Sequence, residues 1–201
     1  MGLLQDLCAP LEANQIDWKV KTLNAYNDSV YASVLAYKDA RVDRQRLDDV
    51  FGVKWQNEFK RDSKGILQCG IGAYVDLLDN LETIKDSFEW VWRWSNGVPS
   101  DYEKEKGEYS DAFKRAGFMW GIGIELYDMP NVRIQLTEKE FVMENNKPKA
   151  TFYLNPNKWR WTLERDEDGD INQLIAEQKF GDVWKERYNF NPHNAKKPHD
   201  A

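Results

Sequence analysis

Apolar residues recur at helical spacing in some stretches of the chain and alternate in others, an order that predicts an α+β fold. Leu3, Leu7 and Leu11, with Leu4 and Cys8 alongside, mark an amphipathic first helix able to pack on a core or on a neighbouring subunit. Strand-like runs follow near 16–22 and 29–37, then a helix from Asp39 to Phe51 with Ala40, Leu47, Val50 and Phe51 inward. The clearest hairpin comes next. Trp55 and Phe59 alternate with Lys54, Gln56, Glu58 and Lys60, the turn is Asp62-Ser63-Lys64-Gly65, and the return strand runs from Ile66 to Val75. On that return strand Leu67, Cys69, Ile71, Ala73 and Val75 share one face, which marks Cys69 as a core thiol.

A third strand, SFEWVWRW, places Phe88, Trp90, Trp92 and Trp94 on one face and Glu89, Val91 and Arg93 on the other. Each base stacked on such a ring can contribute about 1–3 kcal/mol. Large aromatics sharing a strand face more often form a core or a subunit interface, and that is the expectation here. Ser100-Asp-Tyr-Glu103 has the form of a capping box, so a long helix is predicted to start near Asp101 and to run to residue 122, where Gly121 and Gly123 end it. Within it, Ala112, Ala116 and Trp120 recur every four residues and face the core, while Lys114 and Arg115 project elsewhere. A basic pair on a packed helix suits a phosphate backbone. The competing reading is a solvated face on which Lys114 and Arg115 pair with Asp111 and Glu108.

Two segments carry a resemblance. YKDARVDRQRLDDVFGVKWQ (37–56) and GEYSDAFKRAGFMWGIGIELYDMP (107–130) together resemble the phage Sak and bacterial DdrA branch of the Rad fifty-two superfamily of single-strand annealing recombinases, over residues 36–130. The carriers are the DARV start, the RLDDVFG-x-x-W helix end and the S-D-x-x-KRA-x-x-x-x-GIG-x-x-LYD-x-P exit. The resemblance implies a protein that binds single-stranded DNA in a groove around an oligomeric ring and anneals complementary strands without ATP. It places the inner-groove basic positions on Arg41, Lys114 and Arg115. Val53 stands where eukaryotic members have a Tyr, and Phe118 where they have a further Arg, which leaves this groove thinner in charge.

Composition sets the bounds. With 201 residues and 41% hydrophobic content, the chain can bury one good core and a small appendage. No apolar stretch approaches the roughly 20 residues of a membrane span, and MGLLQDLCAPLEAN lacks a basic signal-peptide start, so the expected location is the cytoplasm, that of the host if phage-encoded. Cys8 and Cys69 form no metal spacing and no disulfide framework. A net charge of −6 looks unfavourable for DNA binding, but a groove needs only local positive potential. Residues 38–61 carry seven basic against five acidic groups, whereas 76–89 carry one against five, so the acidity has a place away from the groove.

GFMWGIG lacks the Lys-Ser/Thr of a phosphate loop, and GIG at 70–72 opens no GxGxxG, so no ATP site is expected and ATP-driven strand exchange is disfavoured. Asp166, Asp168, Asp170, Asn172 and Glu177 match positions of a calcium loop, but Ile171 stands where a Gly is required. The flanks read as two strands joined at Asp168-Gly169, with Trp159 and Trp161 as packing residues. His193 and His199 lie without ligand partners in a polar tail expected to be disordered.

The reading is an antiparallel β-meander packed against the long helix, in a ring- or filament-forming oligomer. Its parts are an N-terminal segment 1–35, an annealing core 36–130, a strand-rich extension 131–190 and a tail 191–201. The expected function is ATP-independent single-strand binding and annealing in homologous recombination, with no catalysis, no cofactor and no metal. Arg41, Lys114 and Arg115 hold phosphates, and Lys54, Lys60 and Arg93 extend the path. Expected partners are single-stranded DNA and further copies of the chain, with a single-strand-binding protein or a phage exonuclease as additional candidates and no membrane. One alternative is an end-protecting single-strand binder that does not anneal; a remoter one is a metal-dependent nuclease using the carboxylates at 166–170.

Overall fold

A computed structural model describes residues 3–76, 88–98 and 104–192. In chain order it contains α1 (Leu3–Cys8), β1 (Ile16–Tyr26), β2 (Ser29–Lys38), α2 (Ala40–Phe51), β3 (Trp55–Arg61), β4 (Leu67–Asp76), β5 (Phe88–Asn96) and α3 (Lys104–Met119). Then follow β6 (Val132–Gln135), β7 (Phe141–Glu144), β8 (Lys147–Ala150), β9 (Arg160–Arg165), β10 (Ile171–Phe180) and β11 (Val183–Phe190). The fold is α+β with mostly antiparallel sheets. The chain divides into two units, one within Met1–Leu11 and Lys38–Ile124, the other within Glu12–Tyr37 and Glu125–Ala201. Three expectations lie outside the described residues: the capping box at 100–103, most of the acidic stretch 76–89, and the tail from 193 onward.

In the first unit the expected meander forms, in the order β3-β4-β5, with Trp55 opposite Ala73 and Phe59 opposite Cys69. Leu67, Cys69, Ile71 and Ala73 are fully buried and join Leu47 and Phe51 of α2 and Ala112, Phe113, Ala116 and Trp120 around one core. Burial in this apolar setting pushes the Cys69 thiol up to about 12, which keeps it protonated and inert. The alternation in β4 thus decides which face of the sheet receives α3. Trp120 fixes the register further by donating its ring N–H to the Ile71 carbonyl at 3.0 Å.

Helices α2 and α3 end at glycines of positive φ. Gly52, at φ 59°, closes α2. Helix α3 stops at Met119 instead of continuing to residue 122, and the chain leaves through Gly121 and Gly123 at φ 89° and 72°. The orphan carbonyls at this exit receive cations: Arg93 donates to the Met119 carbonyl and Lys38 to the Ile122 carbonyl.

Lys38 and Asp43 form a fully buried ion pair, 1% and 0% exposed. The Lys38 ammonium also lies 4.0 Å from the Phe118 ring centroid. Asp43 occupies the core face of α2 one turn before Leu47, where the hydrophobic pattern does not anticipate a carboxylate. It reaches the core because Gly117 of α3 has no side chain there; a methyl group at 117 would land on Asp43 Oδ1. Its Oδ2 is buried without a hydrogen-bond partner, and burial outweighs Lys38 to raise the carboxyl to about 6.

The second unit holds two three-stranded sheets, β1-β2-β6 and β9-β10-β11, and the hairpin β7-β8. Trp18 stacks on Trp161 at 3.7 Å, Trp159 is buried, and Arg187 forms a buried ion pair with Glu140 at 2.9 Å. The 159–177 segment is the expected hairpin. Asp166 accepts from the backbone N–H groups of Asp168 and Asp170, at 3.0 and 2.9 Å, so this carboxylate serves the turn.

Gly117→Ala is expected to lower stability by about 1–3 kcal/mol in chemical denaturation, because the added methyl must displace Asp43. Helix propensity alone would move the variant the other way by about 1 kcal/mol, so a stabilised Gly117→Ala protein would contradict this packing. A second expectation concerns pH. Because the native Asp43 carboxyl lies above its ordinary value of 3.8, the folded state takes up the proton more readily than the unfolded chain. Its stabilising contribution is therefore complete below about pH 4 and lost as the pH rises through about 6. The stability difference between wild type and Asp43→Asn, measured by urea titration at each pH, should fall across that window; a constant difference would refute it.

Candidate nucleic-acid interface

The first turn of α2 sets the position of Arg41. Asp39 caps the helix by accepting from the Arg41 backbone N–H at 2.9 Å, and it also accepts from Arg41 Nε at 2.8 Å. The Arg41 side-chain bond, then the backbone bond, together with the charge of Lys114, hold the Asp39 carboxyl below its ordinary value. Lys114 acts on Asp43 in the same direction. Lys114 of α3 thus acts electrostatically on both carboxylates at the start of α2. The Arg41 side chain is 90% exposed, so its pair with Asp39 orients the guanidinium without sequestering it.

Beside this pair lies an open cleft of about 330 Å3, lined by Arg41 and Arg44 of α2, Asn57 and Phe59 of β3, and Tyr109 and Phe113 of α3. Phe59 and Tyr109 meet edge to face at 4.9 Å, and the Arg44 guanidinium lies 5.7 Å from the Trp55 ring centroid. Arg44 and Tyr109 are not among the residues expected from sequence. The i, i+3 spacing of Arg41 and Arg44 on one helix was the available signal.

Arg115 forms the surface pair with Asp111 at 2.7 Å, in i, i+4 geometry, and Asp111 also accepts from the Val98 backbone N–H at 2.9 Å. Glu108 does not serve the basic pair of its own helix. It is buried and takes a two-pronged contact from Arg61 of β3, at 2.9 and 3.3 Å. Arg61 thereby ties the edge strand to α3, a role that alternation in β3 does not reveal.

Lys54, Lys60 and Arg93 fall elsewhere. Arg93 pairs with Ile71 across β5-β4 and so points to the helix side, where its guanidinium caps the Met119 carbonyl and lies 4.7 Å from the Trp120 ring centroid. Lys54 and Lys60 belong to the other face of the sheet, with Lys54 5.1 Å from the Phe88 ring centroid and Lys60 3.5 Å from that of Trp94. The six expected residues thus divide between the two sides of one meander. Of the two settings expected for the tryptophans, core or subunit interface, the core of this unit is not the one they occupy. Register sets Trp94 opposite Gly70 and Trp92 opposite Gly72, on the face away from α3, and Trp90 is 44% exposed. The tryptophans do share one face of the strand, but the core face of the sheet is the one bearing Cys69 and Ile71.

Among the described residues no helix is long and apolar enough to cross a membrane. No family model matches the chain, and no solved structure matches it. It is similar to the single-stranded DNA-binding protein DdrA of Deinococcus radiodurans, 33% identical over 124 residues, which is 62% of this chain and 54% of the relative. The chain spans about half the length of that relative.

Proposed function

We propose that this chain binds single-stranded DNA through the helix-side cationic group of Arg41, Arg44, Lys114 and Arg115. The observation that carries the reading is that Arg41 and Arg44 line an open cleft walled by β3 and α3, with the charge of Lys114 from α3 acting on the carboxyl that caps the same helix turn. Both helices are anchored by buried contacts, so the charges stand on a rigid support and lose little freedom on binding. The similarity to DdrA supports the choice of single-stranded DNA as ligand. Contacts of this kind go to phosphates, carry no sequence information and leave bases free to pair. Annealing follows as the proposed activity: strands held by their backbones sample complements, and base pairing releases the product without nucleotide hydrolysis. A few phosphates per chain give little affinity alone, so several copies acting on one strand, in a ring or filament, belong to the same proposal, as does a place in recombination.

A binder that coats single strands without annealing them is the second reading, favoured by the similarity to a single-stranded DNA-binding protein. An annealing assay with complementary labelled oligonucleotides separates the two. Duplex formation faster than the spontaneous rate, equal with and without ATP, is the expected result; tight binding with no acceleration would select the coating role.

The cationic group is tested by salt. Replacing Arg41, Lys114 and Arg115 with Ala should weaken binding to all single-stranded sequences alike and reduce the slope of log K against log salt by about 0.7 per lost phosphate contact. If these residues only form surface pairs, the folded variant keeps its affinity and loses at most about 1 kcal/mol of stability per pair. A gel-shift titration at several salt concentrations, with a melting curve on the variant, distinguishes the outcomes.

A further inference from the structure

On the sheet face away from α3, β5 lays down a row of aromatic rings. Trp92 and Trp94 are 5.7 Å apart between centroids and 22° from parallel; Trp90 and Trp92 are 6.3 Å apart at 30°. Glycine makes the row flat. A Cβ at Gly70 would meet three ring atoms of Trp94 at 2.5–2.7 Å, and one at Gly72 would meet three of Trp92 at 2.7–2.9 Å, so each ring lies face-down on bare backbone. Along the row Trp90 is exposed and Trp92 and Trp94 are half-buried. Tyr74 and Phe88 extend the row, 37% and 40% exposed and stacked at 5.4 Å.

Cations flank it. Lys54, immediately before β3, and Lys60, on it, stand near the two ends of the row, with their ammonium groups over Phe88 and Trp94. Between them on the same strand face are Gln56 and Glu58, which leaves the edge with a positive balance. A row of tiled rings with lysines along one side has what an extended single strand needs: a flat surface for each base and a positive charge for the backbone. The ring spacing suits a stretched strand with one base per ring. An apolar protein partner has no use for the lysines.

We propose that this outer sheet face is a base-stacking platform for single-stranded nucleic acid, built by Trp90, Trp92 and Trp94 and edged by Lys54 and Lys60. It rests on the proposed single-strand binding but is separate from the helix-side cationic group, because it reads base faces and not phosphates alone. On binding, the ammonium groups exchange ring faces for phosphate oxygens, and bases take the vacated places.

The test compares oligothymidylate with an abasic oligomer of equal length and charge. Wild type should bind the abasic strand at least about tenfold more weakly, since each lost stack costs about fivefold or more. The Trp90→Ala/Trp92→Ala protein, and the milder Trp90→Leu protein if the double variant does not fold, should lose part or all of that preference. The Arg41, Lys114 and Arg115 triple variant should bind more weakly yet keep it. Equal binding of the two strands by wild type, or an undiminished preference in a folded Trp variant, overturns the platform and leaves the helix-side group standing. A Trp variant that becomes monomeric with its base preference intact would show the face to be a contact between copies, which also overturns the proposal. No binding of either strand by wild type would remove both readings.

Discussion

The buried pair of Lys38 and Asp43 is the constraint around which the first unit is arranged. Neither charge reaches water, and the removal of one partner from such a pair typically costs about 3–5 kcal/mol because the other is left uncompensated. The pair therefore dictates its surroundings. Gly117 must be bare for α2 to approach α3, Gly123 must be small beside the Lys38 stem, and the Ile122 carbonyl must turn inward to accept the ammonium. These demands fix α2 against α3 one turn beyond the start of α2, where Arg41 stands. An ion pair is a weak source of net stability, but here it sets which turn of one helix faces which turn of the other.

From that arrangement the sheet acquires two unlike sides. The helix side carries guanidinium and ammonium groups on stiff supports, next to a cleft with aromatic walls. The outer side carries rings laid flat on glycine with lysines along one edge. An acidic chain can thus present cationic surfaces locally, because the potential a polyanion meets is set by the nearest groups and is screened beyond about 10 Å at ordinary salt. The remaining arginines near these surfaces are occupied structurally: Arg61 joins β3 to α3 through Glu108, and Arg93 terminates α3.

Much of this was legible in the sequence, and the reasons for the rest are physical. Alternation from Leu67 to Val75 identified the core face of β4, and the four-residue recurrence of Ala112, Ala116 and Trp120 identified that of α3. Lys38 and Asp43 were not legible, because a charged residue in a pattern reads as surface unless its partner is known, and their pairing depends on a glycine 74 positions beyond Asp43. The setting of the tryptophans is hidden for a related reason. Periodicity says which residues share a face, whereas only register says what lies across from them. Gly70 and Gly72 were the overlooked clue, since two glycines alternating within a strand leave room for something large next door. The site showed the same division. Arg41 lines the cleft, Arg93 is drawn into a helix terminus, and Arg44 and Tyr109 enter the cleft without being signalled by the sequence pattern.

The glycines of β4 also bind the history of two strands together. Because Trp94 and Trp92 fill the volume that a side chain at 70 or 72 would claim, each Gly–Trp pair shares one fixed allotment of space. A relative that gains a β-carbon at either glycine must shrink or tilt the ring opposite it. One that loses the ring is released from the glycine and gains from replacing it with a better strand former. Positions 70 with 94, and 72 with 92, should accordingly drift as coupled pairs among related chains, small against large, so that the fate of an indole can be read from the residue across the ladder from it.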